Sequence, residues 1–228
     1  MTAQAPLLEL SDASIVFPGK GGRRQRDLQA VTDTSLALYP GETLGLVGES
    51  GSGKSTLGLA ALGLQGLSAG EARVGGAPMP APGTTRWRAL RRRVQIIYQD
   101  PFSALNPRWT IARSLAEPLR LHRLAPRREW PDRIAALLEE VGLPADTAGR
   151  YPAALSGGQR QRVCIARALA VEPEAIVCDE ITSALDVSTQ AQIVALLDGV
   201  RARTGVALLF ISHDLALVQS VADRIAVM

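Results

Sequence analysis

Lysine is almost absent from this sequence. Of 25 basic residues in a chain of 228, only Lys20 and Lys54 are lysines, although lysine usually ranks among the commoner residues. A lysine kept at position 54 therefore invites attention. Cysteine is as scarce: Cys164 and Cys178 sit inside apolar runs with no metal-ligand spacing. They exclude a disulfide framework and read as small buried hydrophobes in a reducing compartment. Aromatic residues make up 4% of the chain, too few for a surface that stacks bases. No apolar run is long enough to cross a membrane, and the opening MTAQAPLLEL lacks a basic segment followed by an apolar one. The chain is thus expected to be cytoplasmic, with any membrane role coming through a partner. The closing RIAVM has the composition of a strand, and the natural polypeptide is expected to continue past Met228.

What is present is enough for a folded core. Hydrophobic residues account for 46% of the chain and the net charge is +3, so disorder is not the default. The arginines are scattered except at Arg23 to Arg26, Arg86 to Arg93 and Arg160 to Arg167. With so few aromatics beside them, these clusters read as solvated helix faces, and no nucleic-acid partner is expected.

Short β-type runs such as Ser14 to Phe17 and Thr43 to Val47 fill the first 47 residues, broken by a polar loop from Pro18 to Arg26. A helical pattern follows from Ser55 to Leu64, and Val94 to Tyr98 reads as a strand. The stretch from about 101 to 155 differs in kind: Trp109 to His122 and Trp130 to Val141 suggest helices between several prolines, a candidate helical insertion. The last third alternates strand and helix as a parallel sheet does. Ala175 to Cys178 and Val206 to Ile211 are apolar throughout, as strands covered on both faces are. Ile193, Leu196, Leu197 and Val200 repeat at helical spacing between a capping Asp186 and a terminating Gly205. This predicts a crossover helix.

Three segments carry chemistry. Gly48, Glu49, Ser50, Gly51, Ser52, Gly53, Lys54, Ser55 and Thr56 fit G-x-x-x-x-G-K-[ST] between a strand and a helix. Glycines allow consecutive N–H groups to converge on an anion, and the helix N-terminus adds its positive dipole end. Phosphate is the natural guest, with Lys54 on the β- and γ-phosphates and Ser55 on Mg²⁺. In AIVCDE an apolar strand delivers two carboxylates at its C-terminal edge, where ligands collect in open α/β sheets. Asp179 suits Mg²⁺, and Glu180 suits orienting and deprotonating a water. The third segment, Leu155 to Gln159 (LSGGQ), opens a helical run and offers a second anion-binding surface through Ser156, Gly157, Gly158 and Gln159. One nucleotide needs only one such surface, so the second is expected to serve the nucleotide of another copy.

In this order the three segments resemble the ABC ATPase family, over essentially the whole chain, with LSGGQ as its signature. The resemblance implies an α/β fold of the P-loop NTPase, ABC type: a mostly parallel core sheet, an N-terminal antiparallel β subdomain and an inserted α-helical subdomain. The core would span about 1–98 and 166–228, the helical subdomain about 99–165. It further implies that Gln99 is the Q-loop glutamine, catalytic and a Mg²⁺ ligand, that Ser183 to Asp186 is the D-loop with Asp186 near the nucleotide, and that His213 is the switch histidine. For the adenine-stacking aromatic, Phe17 is the candidate and Tyr39 its competitor. YQDPFSALNPR, ISHDL and DRIAVM are similar to ATPase subunits of dipeptide and oligopeptide importers and their relatives for nickel or glutathione. Ile181 departs from the proline that usually follows the catalytic glutamate in that family. The likeness implies ATP and Mg²⁺ as cofactors, a second ATPase domain (identical or paralogous) and integral membrane permease subunits as partners. An extracytoplasmic solute-binding protein would act indirectly, and the chain would be peripheral on the cytoplasmic face. Two rivals remain: a soluble ABC ATPase acting on nucleic acid or ribosomes, for which 99–155 is too proline-broken to form long arms, and a non-hydrolysing regulator, against which Glu180 and His213 argue.

Overall fold

The computed structural model describes residues 5–19 and 27–228; Lys20 and the cluster Arg23 to Arg26 lie outside the described residues. β1 (Leu8–Phe17) buries Leu8, Leu10, Ala13 and Ile15 on one face, so the run from Ser14 is only the end of a longer strand. It pairs antiparallel with β2 (Leu28–Leu38). β3 (Thr43–Val47) is buried at every position and leads through the glycine-rich loop into α1 (Lys54–Ala61). β4 (Ala69–Val74) and the short β5 (Ala77–Pro78) complete a four-stranded antiparallel sheet in the order β2-β1-β4-β5. Then α2 (Thr85–Arg93), whose N-terminal turn is closed by the Thr84 side chain accepting from the Trp87 N–H at 3.1 Å, runs into β6 (Val94–Ile97).

The proline-broken middle is helical: α3 (Pro101–Ala104), α4 (Ile111–Leu121) and α5 (Trp130–Glu140) precede α6 (Gly157–Leu169). The predicted helices begin and end within two residues of α4 and α5. β7 (Ala175–Asp179), α7 (Val187–Thr204), β8 (Ala207–Ser212), α8 (Leu215–Gln219) and β9 (Arg224–Val227) follow. α7 is the crossover helix. Asp186 accepts from the Thr189 N–H at 2.9 Å at its start, and Gly205 ends it at φ 71°, a left-handed conformation that glycine adopts without steric cost.

Strands β6-β7-β8-β3-β9, in that order, form a parallel sheet. Its residues alternate between two cores. Ile176, Cys178, Leu208 and Phe210 pack with Leu115 of α4, Leu138 of α5, Ile165 of α6 and Ile193 of α7. Ala175, Val177, Leu209 and Ile211 pack on the opposite face with Leu57 and Ala60 of α1 and with Leu8, Ile15 and Leu38 of the antiparallel sheet. The molecule is therefore an α/β sandwich: α1 and the antiparallel sheet on one side, α4 to α7 on the other. Both cysteines are buried, and loss of hydration pushes the Cys164 thiol up to about 11 and the Cys178 thiol up to about 12. They are inert packing residues, as expected.

Candidate functional site

Parallel strands all present their C-terminal ends to one edge, and here four neighbours each deliver a candidate group there. β6 ends just before Gln99, β7 at Asp179 and Glu180, β8 just before His213, and β3 at Gly48. The phosphate-type loop is shaped by glycine at points where a side chain would collide. A Cβ on Gly53, at φ 102°, would lie 2.3 Å from the Ala30 carbonyl oxygen of β2. The Lys54 side chain is buried and donates to the carbonyls of Gly48 at 3.0 Å and Glu49 at 2.6 Å, with the Ser52 hydroxyl at 3.4 Å. The ammonium is thus held inside the curve of its own loop.

Ser55 and Asp179, 124 positions apart in sequence, meet at 2.7 Å, the Ser55 hydroxyl donating to the carboxylate. Burial pushes the Asp179 carboxyl above its ordinary value, with Ser55 and Lys54 pulling the other way and Glu180 adding to the rise. A buried carboxylate beside a hydroxyl is a hard-oxygen donor set of the kind that suits Mg²⁺. Glu180 stands next to it, and its backbone is left-handed at φ 47°, a conformation that costs a non-glycine residue of order 1 kcal/mol or more. The backbone is pinned there by the Glu180 N–H donating to Ile211 of β8 at 3.0 Å. Gln99 Nε2 donates to the Glu180 carboxylate at 3.3 Å, and His213 Nδ1 lies 3.6 Å from the same oxygen. Gln99 Nε2 also reaches the Ser183 hydroxyl at 3.3 Å, which in turn donates to the Glu180 carbonyl at 2.9 Å. Ser183 is the residue that sequence reasoning did not single out beyond its D-loop context; its only signal was a hydroxyl three positions after the glutamate.

Not every predicted residue joins this cluster. Ser156 and Gln159 close the start of α6 reciprocally: Ser156 Oγ accepts from the Gln159 N–H at 3.2 Å, and Gln159 Oε1 from the Ser156 N–H at 3.0 Å. α6 packs on the sheet face opposite α1, and a Cβ on Gly158 would stand 2.6 Å from the Thr189 methyl of α7. Among the described residues no hydrogen bond joins Ser156, Gly157, Gly158 or Gln159 to the phosphate-type loop. Asp186 caps α7 with both carboxylate oxygens, accepting from the Ser188 hydroxyl, the Thr189 N–H and the Thr189 hydroxyl. Those bonds, the Ser188 hydroxyl first, hold its carboxyl well below the usual range.

Phe17 and Tyr39 part company in space. Phe17 pairs with Leu28 at the end of β1, two residues along β2 from the Ala30 carbonyl that abuts Gly53, and it is partly exposed. Tyr39 precedes β3 and stacks under Arg224, at the sheet edge away from the phosphate-type loop.

A family model described as ABC transporter matches residues 31–183. The chain belongs to the ABC transporter family. Two glutathione import ATP-binding proteins, from Escherichia coli O6:H1 and from Escherichia coli K12, are each 49% identical to it over 226 residues, which is 98% of this chain and 36% of the relative. The chain thus spans about a third of the length of the curated relatives it matches. Its fold superposes on that of the ATP-binding cassette MJ0796, solved as a post-hydrolysis dimer with ADP and Pi, with TM-score 0.85, 28% identity and coverage of 97% and 94% of the two chains. The cbiO1 protein from Clostridium perfringens, part of the cbiONQ transporter complex, shares the fold at TM-score 0.83 and 23% identity, over 99% of this chain and 85% of that one. Glu180 and His213 stand together at the sheet edge, and Ile181 is buried in the core beside them.

Proposed function

We propose that this chain is a Mg²⁺-dependent ATPase that energises solute import, of peptides or a related small solute, from the cytoplasmic face of a membrane. The observation that carries the reading is the convergence of Lys54, Ser55, Asp179, Glu180, Gln99 and His213 at one edge of the parallel sheet. Lys54, with the N–H groups of Gly48 to Thr56, holds the phosphates of ATP, and Phe17 stacks on the adenine. Ser55, Asp179 and Gln99 are the Mg²⁺ ligands; the ion supplies charge neutralisation at the transferring phosphate. Glu180 accepts the proton of the attacking water, and Gln99 and His213 orient that carboxylate and the water. Among the described residues, none of these groups hydrogen-bonds to Ser156, Gly157, Gly158 or Gln159. A second cassette, identical or paralogous, therefore completes each site with its own LSGGQ, as the dimeric MJ0796 cassette suggests.

The helical part, about 99–165, connects this chemistry to integral membrane permease subunits, with an extracytoplasmic solute-binding protein acting through them. A groove of about 340 Å³ opens beside it, lined by Leu64, Gln95, Tyr98, Glu117, Leu121 and Arg167 among others. The loop from Gln99 to Arg108 adjoins it and carries an exposed Phe102 beneath the Arg160 guanidinium, 4.8 Å from its ring centre. Movement of a docked permease segment would pass through Phe102 to the residue directly after LSGGQ. The test is Lys54→Ala, which removes the ammonium from the loop. ATP affinity should fall by about 30-fold or more, and turnover should vanish with it. Unchanged affinity and turnover would refute the assignment.

A further inference from the structure

The arginine cluster in α2 has no part in the nucleotide site, and on sequence grounds it reads as a solvated face. In the structure it is one half of a larger patch. Arg88 and Arg92 are exposed and stand one helical turn apart on α2. Arg120 and Arg123, also exposed, flank His122 at the end of α4. The two halves adjoin, because Arg91 of α2 and Leu121 and His122 at the end of α4 line the same groove. Among the described residues no carboxylate pairs with Arg88, Arg92, Arg120 or Arg123, and the segments outside the description contain no Asp or Glu. Between the halves Leu121 is 67% exposed and Leu64 43%. Glu117 is the one carboxylate lining the groove there.

We infer that this patch is a contact surface for anionic phospholipid, laid against the bilayer beside the groove proposed to take a permease segment. It rests on that reading for its orientation. Two observations favour a lipid surface as occupant. The charge is of one sign and lies on a chain whose net charge is only +3, so it is local rather than global. These guanidiniums make no hydrogen bonds to the rest of the chain among the described residues, unlike Arg160, Arg162 and Arg167, which are tied to backbone carbonyls. Untied side chains suit a fluid array of phosphates, which sets no fixed geometry.

The measurement is co-sedimentation of the full chain with vesicles of phosphatidylglycerol and phosphatidylcholine, and of phosphatidylcholine alone. Each basic residue at an anionic surface strengthens binding by roughly five-fold. Replacing Arg88, Arg92, Arg120 and Arg123 together by Gln should therefore weaken binding to the mixed vesicles by about 100-fold or more, and high salt should do the same to the parent. A variant with Arg128, Arg133, Arg150 and Arg203 replaced by Gln carries the same net charge and should bind as the parent does. Matching thermal unfolding of the two variants confirms that both fold. Equal binding to both vesicle types, equal loss in the two variants, or binding of the patch to an acidic peptide but not to vesicles would overturn the proposal. The vesicles contain no membrane subunit, so failure here leaves the permease reading standing, and that reading fails separately if cross-links from the Gln99 to Arg108 loop never capture one.

Discussion

At the scale of single residues, the account turns on which side chains reach the sheet edge. Lys54, Ser55, Asp179 and Glu180 were legible because strand, glycine loop and carboxylates follow one another in fixed motifs. The contact between Ser55 and Asp179 was not, since 124 intervening positions separate them and only the strand order brings them together. The competition between Phe17 and Tyr39 could not be resolved from spacing either. Both precede the glycine loop in sequence, yet β3 runs between Tyr39 and that loop, a length of about 16 Å at the usual rise per residue. Phe17→Ala should weaken ATP binding by roughly 5- to 100-fold, the range for losing one base-stacking aromatic. Tyr39→Ala, losing only its stack with Arg224, should leave nucleotide affinity alone. Equilibrium titration with a fluorescent ATP analogue distinguishes them, and the reverse pattern would move the adenine to the other edge.

Among the elements, those with strong apolar periodicity or special caps were readable and the rest were not. β3, β7 and β8 are buried from end to end and apolar but for Thr43, Asp179 and Ser212, and α7 carries both its cap and its terminating glycine. β2 alternates poorly, with Asp33 at φ 41° and register shifts in its pairing to β1. α2 buries only Leu90, so it has no apolar stripe to announce it. One polar tie holds the layers in register: Asp223, just before β9, accepts from the Thr43 N–H at the start of β3 at 2.8 Å and pairs with Arg201 of α7. The Thr43 N–H first, then the guanidinium, hold the Asp223 carboxyl below its ordinary value. A carboxyl whose folded pKa is lowered stabilises the fold above its unfolded value and loses that contribution as pH falls through the folded one. Asp223→Asn should thus cost less than about 1 kcal/mol at neutral pH, because solvent screens this partly exposed pair, with the gap to the parent closing as pH drops below about 4. Denaturant titrations across that range check it. An equal deficit at neutral and acidic pH would show that packing, not charge, is at stake.

For the whole molecule, what matters is that the two helix starts proposed to bind phosphate belong to helices on opposite faces of one sheet. Lys54 opens α1 on one face and Gly157 opens α6 on the other, and under the proposed function each closes on a different nucleotide. The sequence pointed to this by carrying two such surfaces, but only the layering shows why they stay apart. On the proposed function, hydrolysis at Glu180 is the event that opens a pair of cassettes. Glu180→Gln keeps the shape of the side chain and removes the proton acceptor, which should slow turnover by about 10²- to 10⁴-fold. The measurement that bears most directly on the shared site is sizing chromatography of this variant with and without MgATP. It should run as a dimer with MgATP and a monomer without, and adding Ser156→Arg should restore the monomer while ATP affinity stays unchanged. A Glu180→Gln protein that stays monomeric at saturating MgATP, or a double variant that still dimerises, would contradict the account.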